Sequence, residues 1–343
     1  MAESRPTLND WQKLYQAAMR IKEIAPWEWM DETDVFGVQD PETDEIGFVS
    51  IMGTLGEHLA VAVYLGAEAL YRFWRLQEVA ESEFEEVFLA ISQLQASFED
   101  RAELTQKDRD VIKELGLKFR GRQAWPMFRS FRPGYWPWYL EATEARTLTY
   151  ALEQATDVAL RFQVDPSLLE PPDGESYLVR VPKEVQGHLV WEDKVVRVPP
   201  PVEPESIPVV MDLEAIERVK QLPWEERTLE IDFSLFPIRI EARGARPYPP
   251  RMLLVVESGS GMILGTEFLG PEEGLAEMWG SVPVKVVYQI GRMGILPRRI
   301  NVRSPKLFAL LQLLAEDLGI EVEGVRRLPD LEQAQEWLMQ RFG

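Results

Sequence analysis

Cysteine is absent from this 343-residue chain, and histidine occurs only at His58 and His188. The first absence excludes disulfides, thiolate metal sites and cysteine nucleophiles. The two histidines are 130 residues apart and no motif surrounds them, so we interpret each as a surface or turn residue. A histidine-rich metal site is thereby excluded, whereas an all-carboxylate site for Mg²⁺ or Ca²⁺ remains open.

Long apolar runs are also missing, since none approaches the roughly 20 residues that a membrane-spanning helix needs. The first ten residues are polar and lack the apolar core of a signal peptide. Neither a Walker sequence nor GxGxxG occurs, so no motif predicts a nucleotide cofactor. We therefore expect a cytoplasmic protein without a cofactor and without membrane contact.

Asparagine is nearly absent, occurring only at Asn9 and Asn301, whereas proline occurs 25 times. Few thermolabile residues and many prolines are typical of thermophilic proteins. Compositional drift in a GC-rich genome is the alternative explanation. We favour a thermophilic source.

The net charge is −20, which would repel nucleic acids and anionic membranes if it were evenly spread. It is uneven. Residues 1–110 hold 9 basic and 23 acidic side chains, whereas residues 111–150 hold 7 and 3. Residues 111–150 therefore carry a net positive charge, whereas the preceding part of the chain is negative.

Hydrophobic periodicity and turn residues predict an α+β protein. We expect an N-terminal antiparallel sheet with flanking helices over residues 1–164. A proline-rich connector with a strand pair, a helix and a strand follows over residues 165–245, and an α/β domain over residues 246–343. A strand is predicted over residues 86–95. Residues 282–288 are compatible with either a helix or a strand.

The most distinctive stretch is Leu117–Trp138, which we call the Arg/Trp segment and which contains no acid. Guanidinium groups interleaved with aromatic rings can hold phosphates and stack on bases. The candidate ligand-binding residues are Arg120, Arg122, Arg129, Arg132, Tyr135, Trp136 and Trp138. The alternative is an irregular proline-shaped loop whose tryptophans fill the core and whose arginines pair with the acidic N-terminal region. The overall acidity favours this structural interpretation.

A second acid-free stretch extends from Arg292 to Lys306 and flanks a predicted helix start. A helix N-terminus beside arginines can hold an anion, which makes Arg298, Arg299 and Arg303 candidate anion-binding residues. The alternative is a solvated surface that faces an acidic partner.

Several short motifs are shared with a known group of proteins. They are Trp27–Met30, Asp40–Thr43, Ile51–Glu57, Val63–Gly66, Leu115–Gly121 and Arg132–Trp138. These motifs resemble an uncharacterised bacterial family, in which a domain of unknown function is followed by a second one like residues 246–343. The resemblance covers most of the chain and implies no activity.

The C-terminal order of hairpin, helix, strand, helix, strand and helix resembles a trimmed ribonuclease H-like fold. The resemblance implies one acidic residue on the first strand and another at the end of the fourth, with two metal ions between them. Glu257 takes the first position here, and Asn301, Val302 and Arg303 take the other. Because an arginine there opposes Mg²⁺ binding, we expect no metal site and keep Glu257 only as a weak catalytic candidate.

The sequence thus favours a non-enzymatic binding or interaction protein that uses the Arg/Trp segment. The alternatives are a nucleic-acid-acting enzyme of ribonuclease H-like ancestry with a degenerate metal site, and a nucleotide-binding regulator that uses the second basic stretch. The partner is open among a single-stranded nucleic acid, a nucleotide and another protein.

Overall fold

The computed structural model describes residues 4–79, 81–170, 173–201, 207–241 and 245–342. Within those ranges the chain forms ten α-helices and twelve β-strands in two mixed sheets, which confirms the expected α+β class. No helix in the described ranges is long and apolar enough to cross a membrane.

The α-helices pack on the faces of the two sheets. They are α1 (Leu8–Ile24), α2 (Gly66–Leu76), α3 (Glu81–Phe88), α4 (Gln106–Glu114), α5 (Ala142–Val164), α6 (Leu213–Val219), α7 (Leu275–Gly280), α8 (Val282–Met293), α9 (Pro305–Leu318) and α10 (Pro329–Phe342). Two short 3₁₀ helices lie at Pro26–Glu28 and Pro166–Leu169.

The strands follow in chain order. They are β1 (Phe36–Gln39), β2 (Ile46–Met52), β3 (Ala60–Leu65), β4 (Gln93–Glu99), β5 (Trp125–Phe131), β6 (Ser176–Val185), β7 (His188–Arg197), β8 (Trp224–Leu235), β9 (Arg251–Glu257), β10 (Ile263–Leu269), β11 (Leu296–Val302) and β12 (Glu321–Gly324).

The chain divides into two compact units: Met1–Arg132 with Pro137–Val202, and Pro133–Trp136 with Glu203–Gly343. The sheet of the first unit has the order β5-β4-β3-β2-β1-β6-β7, in which only β1 and β6 pair in parallel. Alternation along β3 builds two cores, because successive side chains point to opposite faces. Val61 and Val63 join the core formed with α1 and α5, whereas Ala62 and Tyr64 join the core under α2.

The sheet of the second unit has the order β10-β9-β8-β11-β12. β8 is central: it pairs antiparallel with β9 and parallel with β11. Leu229, Ile231 and Phe233 enter the core that α6, α8 and α9 share. The residues between them on β8 point to the opposite face, where α10 packs over an apolar cluster that includes Leu331 and Leu338.

The structure changes one predicted element, assigns the connector to the sheets and resolves one open alternative. Residues 81–88 form α3, because Phe84, Val87 and Phe88 recur at helical spacing, and the predicted strand begins later, at β4. The residues assigned to a connector are shared between the two sheets: β6–β7 extends the first, and β8 is the centre of the second. Residues 282–288 are helical, as part of α8.

Candidate functional site

The Arg/Trp segment is not a single irregular loop. Its middle is β5, one of the two outer strands of the first sheet, which pairs with β4 from Trp125 to Phe131. A loop precedes this strand, and a turn after it is pinned by backbone hydrogen bonds between Ser130 and Trp138 of 2.8 and 2.9 Å. The candidate binding residues therefore have different surroundings, which we describe in turn.

The loop before β5 presents three cations to solvent. Leu117 and Phe119 pack against the core of the first unit, and the Phe119 ring stacks at 6.2 Å from that of Tyr15. The side chains between and after these two anchors are exposed; they are Lys118, Arg120 and Arg122. We call Leu117–Gln123 the cationic loop.

Gln123 fixes the far end of the cationic loop. Its backbone N–H donates to Asp100 Oδ1 at 2.7 Å. Its side-chain Nε2 donates to the carbonyls of Gly56 at 3.0 Å and Glu57 at 3.2 Å. The loop is therefore held at both ends. Lys118, Arg120 and Arg122 have no ion-pair partner in the part of the chain that the structure describes.

Arg129 has the opposite environment. Its two terminal nitrogens donate to the two carboxylate oxygens of Asp108 at 2.9 and 2.8 Å, and the two side chains are only 12% and 10% exposed. Burial acts to raise the pKa of Asp108, but the hydrogen bonds from Arg129 and Thr105 outweigh it and the pKa is lowered. Such a bidentate pair joins α4 to β5 and leaves the guanidinium occupied.

Arg132 is also engaged by acids. It forms ion pairs with Glu141 and with Glu144, the latter at 3.0 Å. Burial acts to lower the pKa of Arg132, but the two carboxylates outweigh burial and raise it. Its role is to hold the start of α5 against the end of β5.

Trp138 carries a cation over its ring. The rings of Trp138 and Tyr139 are 4.9 Å apart, and Lys107 Nζ lies 5.4 Å from the first ring and 4.3 Å from the second. Cation–π attraction orders this group on the surface. The ring face that a nucleic-acid base would need is therefore partly covered.

Tyr135 and Trp136 belong to the second unit. The Tyr135 hydroxyl donates to the carbonyl of Pro271 at 3.3 Å, and the Trp136 amide donates to the carbonyl of Pro247 at 2.9 Å. Trp136 Nε1 is buried without a hydrogen-bond partner among the described residues. These contacts assign the two side chains a packing role.

Tyr248 packs edge-on against Tyr135 in the same cluster, with ring centroids 6.1 Å apart. Its hydroxyl donates to Glu272 at 2.6 Å. Burial, followed by the hydrogen bond to Glu272, raises the pKa of Tyr248 to about 12. The phenol is therefore a proton donor to this carboxylate and stays protonated at neutral pH.

The predicted anion site is largely neutralised by acids. Arg299 contacts Glu321 at 2.9 Å, and Arg303 contacts Asp232 at 3.2 Å and Glu332 at 3.6 Å. Among the three candidates, Arg298 alone is exposed without an ion pair in the described ranges. The surroundings of the second basic stretch thus supply counter-charges from within the chain.

Glu257 does not lie on the first strand of the second sheet. It ends β9, which follows β8 in the chain. Its carboxylate contacts Arg227 at 3.0 Å and accepts a hydrogen bond from Ser260 at 2.5 Å. The sequence analysis takes the hairpin as the start of the sheet, whereas β8 precedes the hairpin in the chain and pairs with β9.

Sequence reasoning missed two buried acids on β8, Glu230 and Asp232, which are 2% and 3% exposed. Glu230 accepts hydrogen bonds from the Leu331 amide at 2.8 Å and from Ser258 at 3.3 Å. The available signal was the alternation of acids with Leu, Ile and Phe over residues 229–233, which places both acids on one face of a strand.

Asp232 completes a polar layer under α10. Besides the contact with Arg303, it accepts a hydrogen bond from Gln335 at 3.3 Å. Asn301 lies opposite Glu230 in the register of β11 and β8, and its Oδ1 is buried without a hydrogen-bond partner among the described residues. No group of three or more His, Cys, Asp or Glu side chains in these ranges has the geometry to hold a metal ion.

Comparison with known families matches both parts of the chain. Residues 11–180 match the family model described as "Domain of unknown function (DUF7309)", and residues 215–339 match "Domain of unknown function (DUF6930)". The chain therefore carries two domains of unknown function in the expected order. No curated protein matches it.

Proposed function

We propose that the protein is a cytoplasmic, non-enzymatic binding protein that holds an anionic chain of phosphates on the cationic loop. The observation that carries the proposal is the exposure of Lys118, Arg120 and Arg122 on a loop fixed at both ends. A thermophilic bacterial source is part of the same proposal, supported by the absence of cysteine and the 25 prolines.

Two neighbouring arginines of the same segment differ from these three cations, because acids of the chain form ion pairs with them. Arg129 and Arg132, a few residues along the same segment, are paired with Asp108, Glu141 and Glu144. In a chain with 57 acidic side chains and a net charge of −20, three neighbouring cations without ion-pair partners form a local positive patch in a negative surface. An anionic ligand would be attracted to that patch.

The cationic loop would recognise its partner through charge and not through stacking on bases. Phe119 packs against Tyr15 and Trp125, and Arg101 lies over the Trp125 ring at 5.8 Å. Because these ring faces are occupied, they cannot stack on bases. The proposal therefore predicts similar binding of any flexible phosphate chain.

The test is fluorescence anisotropy at low salt, with labelled single-stranded RNA and with labelled inorganic polyphosphate. The triple variant Lys118→Gln, Arg120→Gln, Arg122→Gln should weaken binding of both by roughly 10-fold or more, since each lost phosphate contact removes released counter-ions. Equal binding by wild type and triple variant would refute the proposal.

A matched control separates the loop from net charge. Arg5, Lys13 and Arg75 are exposed and lie elsewhere in the first unit. Changing these three to glutamine alters the formal charge by the same amount and should leave the affinity within about twofold. Binding of RNA without polyphosphate would instead indicate that bases are recognised.

A second candidate function is a nucleic-acid-acting enzyme of ribonuclease H-like ancestry. The strand order of the second sheet supports it, because the first strand β8 lies between β9 and β11, as in a ribonuclease H-like sheet. The acids at the first-strand position are then Glu230 and Asp232. Arg303 contacts Asp232, which opposes a cation there and supports a degenerate site.

Hydrolysis of an RNA–DNA hybrid in the presence of Mg²⁺ separates the two candidates. The binding proposal predicts no cleavage above buffer by the wild type. Cleavage that Asp232→Asn abolishes, while Glu257→Gln retains it, would favour the enzyme instead.

A further inference from the structure

β7 is a long outer strand with an exposed edge. It ends the strand order of the first sheet, and no other strand of the described chain pairs with its outer side. Leu189, Val190 and Val195 are 44%, 39% and 62% exposed. Proteins usually shorten or cover such an edge, because its free N–H and C=O groups can pair with another strand.

The turn before β7 determines which backbone groups face outward. Gln186 and Gly187 have φ values of 52° and 77°, as in a two-residue hairpin turn whose flanking residues are hydrogen-bonded to each other. Even-numbered residues of β7 therefore bond to β6, and the Val198 amide continues this parity by donating to the Glu175 carbonyl at 3.0 Å. The outward-facing residues are Leu189, Trp191, Asp193, Val195 and Arg197.

We propose that a second copy of this chain pairs antiparallel with β7, in a two-fold register centred on Asp193. The outward-facing residues are symmetric about that position. All of them can then exchange backbone hydrogen bonds with their counterparts, whereas any shifted register leaves some unpaired. The product is one continuous sheet across two copies.

Charge complementarity selects the same register. Centred on Asp193, it places Glu192 opposite the partner's Lys194 and Lys194 opposite the partner's Glu192. The neighbouring registers would place Glu192 opposite its own copy, or Lys194 opposite its own copy. Opposite charges across a strand pair stabilise it, and like charges destabilise it.

The apolar side chains also match. Val190 lies opposite the partner's Val196, and Trp191 opposite the partner's Val195, which would cover the exposed Val190 and Val195. The two Asp193 carboxylates meet at the axis. Each already contacts Arg161 and Arg180, so four guanidinium groups surround the two negative charges and offset their repulsion.

Sedimentation equilibrium of the full chain tests the proposal. We expect a reversible dimer with twice the 39.5-kDa monomer mass. Glu192→Lys and Lys194→Glu should each weaken the dimer roughly 10–30-fold, because two attractive cross-strand pairs become repulsive. Glu192 also pairs with Lys183 of its own chain at 2.7 Å, so the reversals are compared in a Lys183→Gln background. There the double variant restores opposite charges and should recover the dissociation constant of that background.

Two further variants guard against misfolding and non-specific effects. Val195→Pro removes an outward N–H without touching the bonds to β6, so it should abolish the dimer while circular dichroism is unchanged. Glu184→Lys, on the exposed end of β6, should leave the dimer intact. A monomer at about 100 µM, well above the micromolar range of weak specific association, or a dimer indifferent to both charge reversals, would overturn the proposal.

Discussion

The Arg129 side chain is held at its two terminal nitrogens by the carboxylate of Asp108. Both residues are nearly buried, so the pair can contribute to stability only while both charges are present. Asp108 also accepts hydrogen bonds from Thr105 at the start of α4. Because both of its terminal nitrogens are engaged, Arg129 stabilises the fold and is not free to bind a ligand.

Asp108→Asn should lower the free energy of unfolding by about 3 kcal/mol, because it leaves a nearly buried guanidinium without its counter-charge. Urea denaturation at pH 7 measures the change. Asp110→Asn, an exposed acid on the same helix, serves as the control and should cost less than about 0.5 kcal/mol.

The same pair makes a pH prediction. Since the pKa of folded Asp108 is lowered, its contribution is present above the ordinary aspartate pKa of about 3.9 and is lost as pH falls through the folded value. The stability difference between wild type and Asp108→Asn should therefore shrink at pH values below about 4. A difference that stays constant down to pH 2 would contradict this account.

Among the elements, α10 is attached to the sheet by a carboxylate from another element. Glu230 on β8 accepts the amide of Leu331 in the first turn of α10, where a negative charge interacts favourably with the helix dipole. Asp330 accepts the Gly259 amide at 2.8 Å, so the turn between β9 and β10 is tied to the same helix start.

Glu230→Ala should reduce stability by about 2–3 kcal/mol, because it leaves a buried amide of α10 unpaired. Hydrogen exchange should show the loss first in α10, since its attachment to β8 is the contact removed. Glu226→Gln, an exposed acid on the same strand, should change neither quantity. Unaltered protection of α10 in Glu230→Ala would contradict the assigned role.

Elements with local signals were predictable from sequence. α1 follows its apolar spacing, and Thr7 caps its first turn. The strand predicted over residues 86–95 overlaps the last three residues of α3 and the first three of β4. A short helix and a strand share one apolar run there, and their boundary has no local signal. The place of β8 depends on pairing with β11, about 70 residues later, which no local pattern encodes.

The same limit applies to the candidate site. Which arginines are paired depends on acids brought together by the fold, such as Asp108 for Arg129 and Glu144 for Arg132. The sequence showed an acid-free segment but could not separate its paired and exposed members. In the fold, Phe119 and Gln123 anchor the loop on either side of Arg120, and the Arg120 side chain is exposed.

For the whole molecule, the net charge of −20 opposes any long anionic partner, while the cationic loop attracts one locally. Binding should therefore be weak, and its dependence on salt should be modest, because salt screens the repulsion as well as the attraction. This balance distinguishes a loop that holds a few phosphates from a wide basic surface.

The dependence of RNA affinity on salt tests the central claim most directly. For the cationic loop, the logarithm of the association constant should fall with the logarithm of salt concentration with a slope near −2, about 0.7 for each of three phosphate contacts. The triple variant at Lys118, Arg120 and Arg122 should bring the slope close to zero. A wild-type slope that the triple variant leaves unchanged would contradict the account.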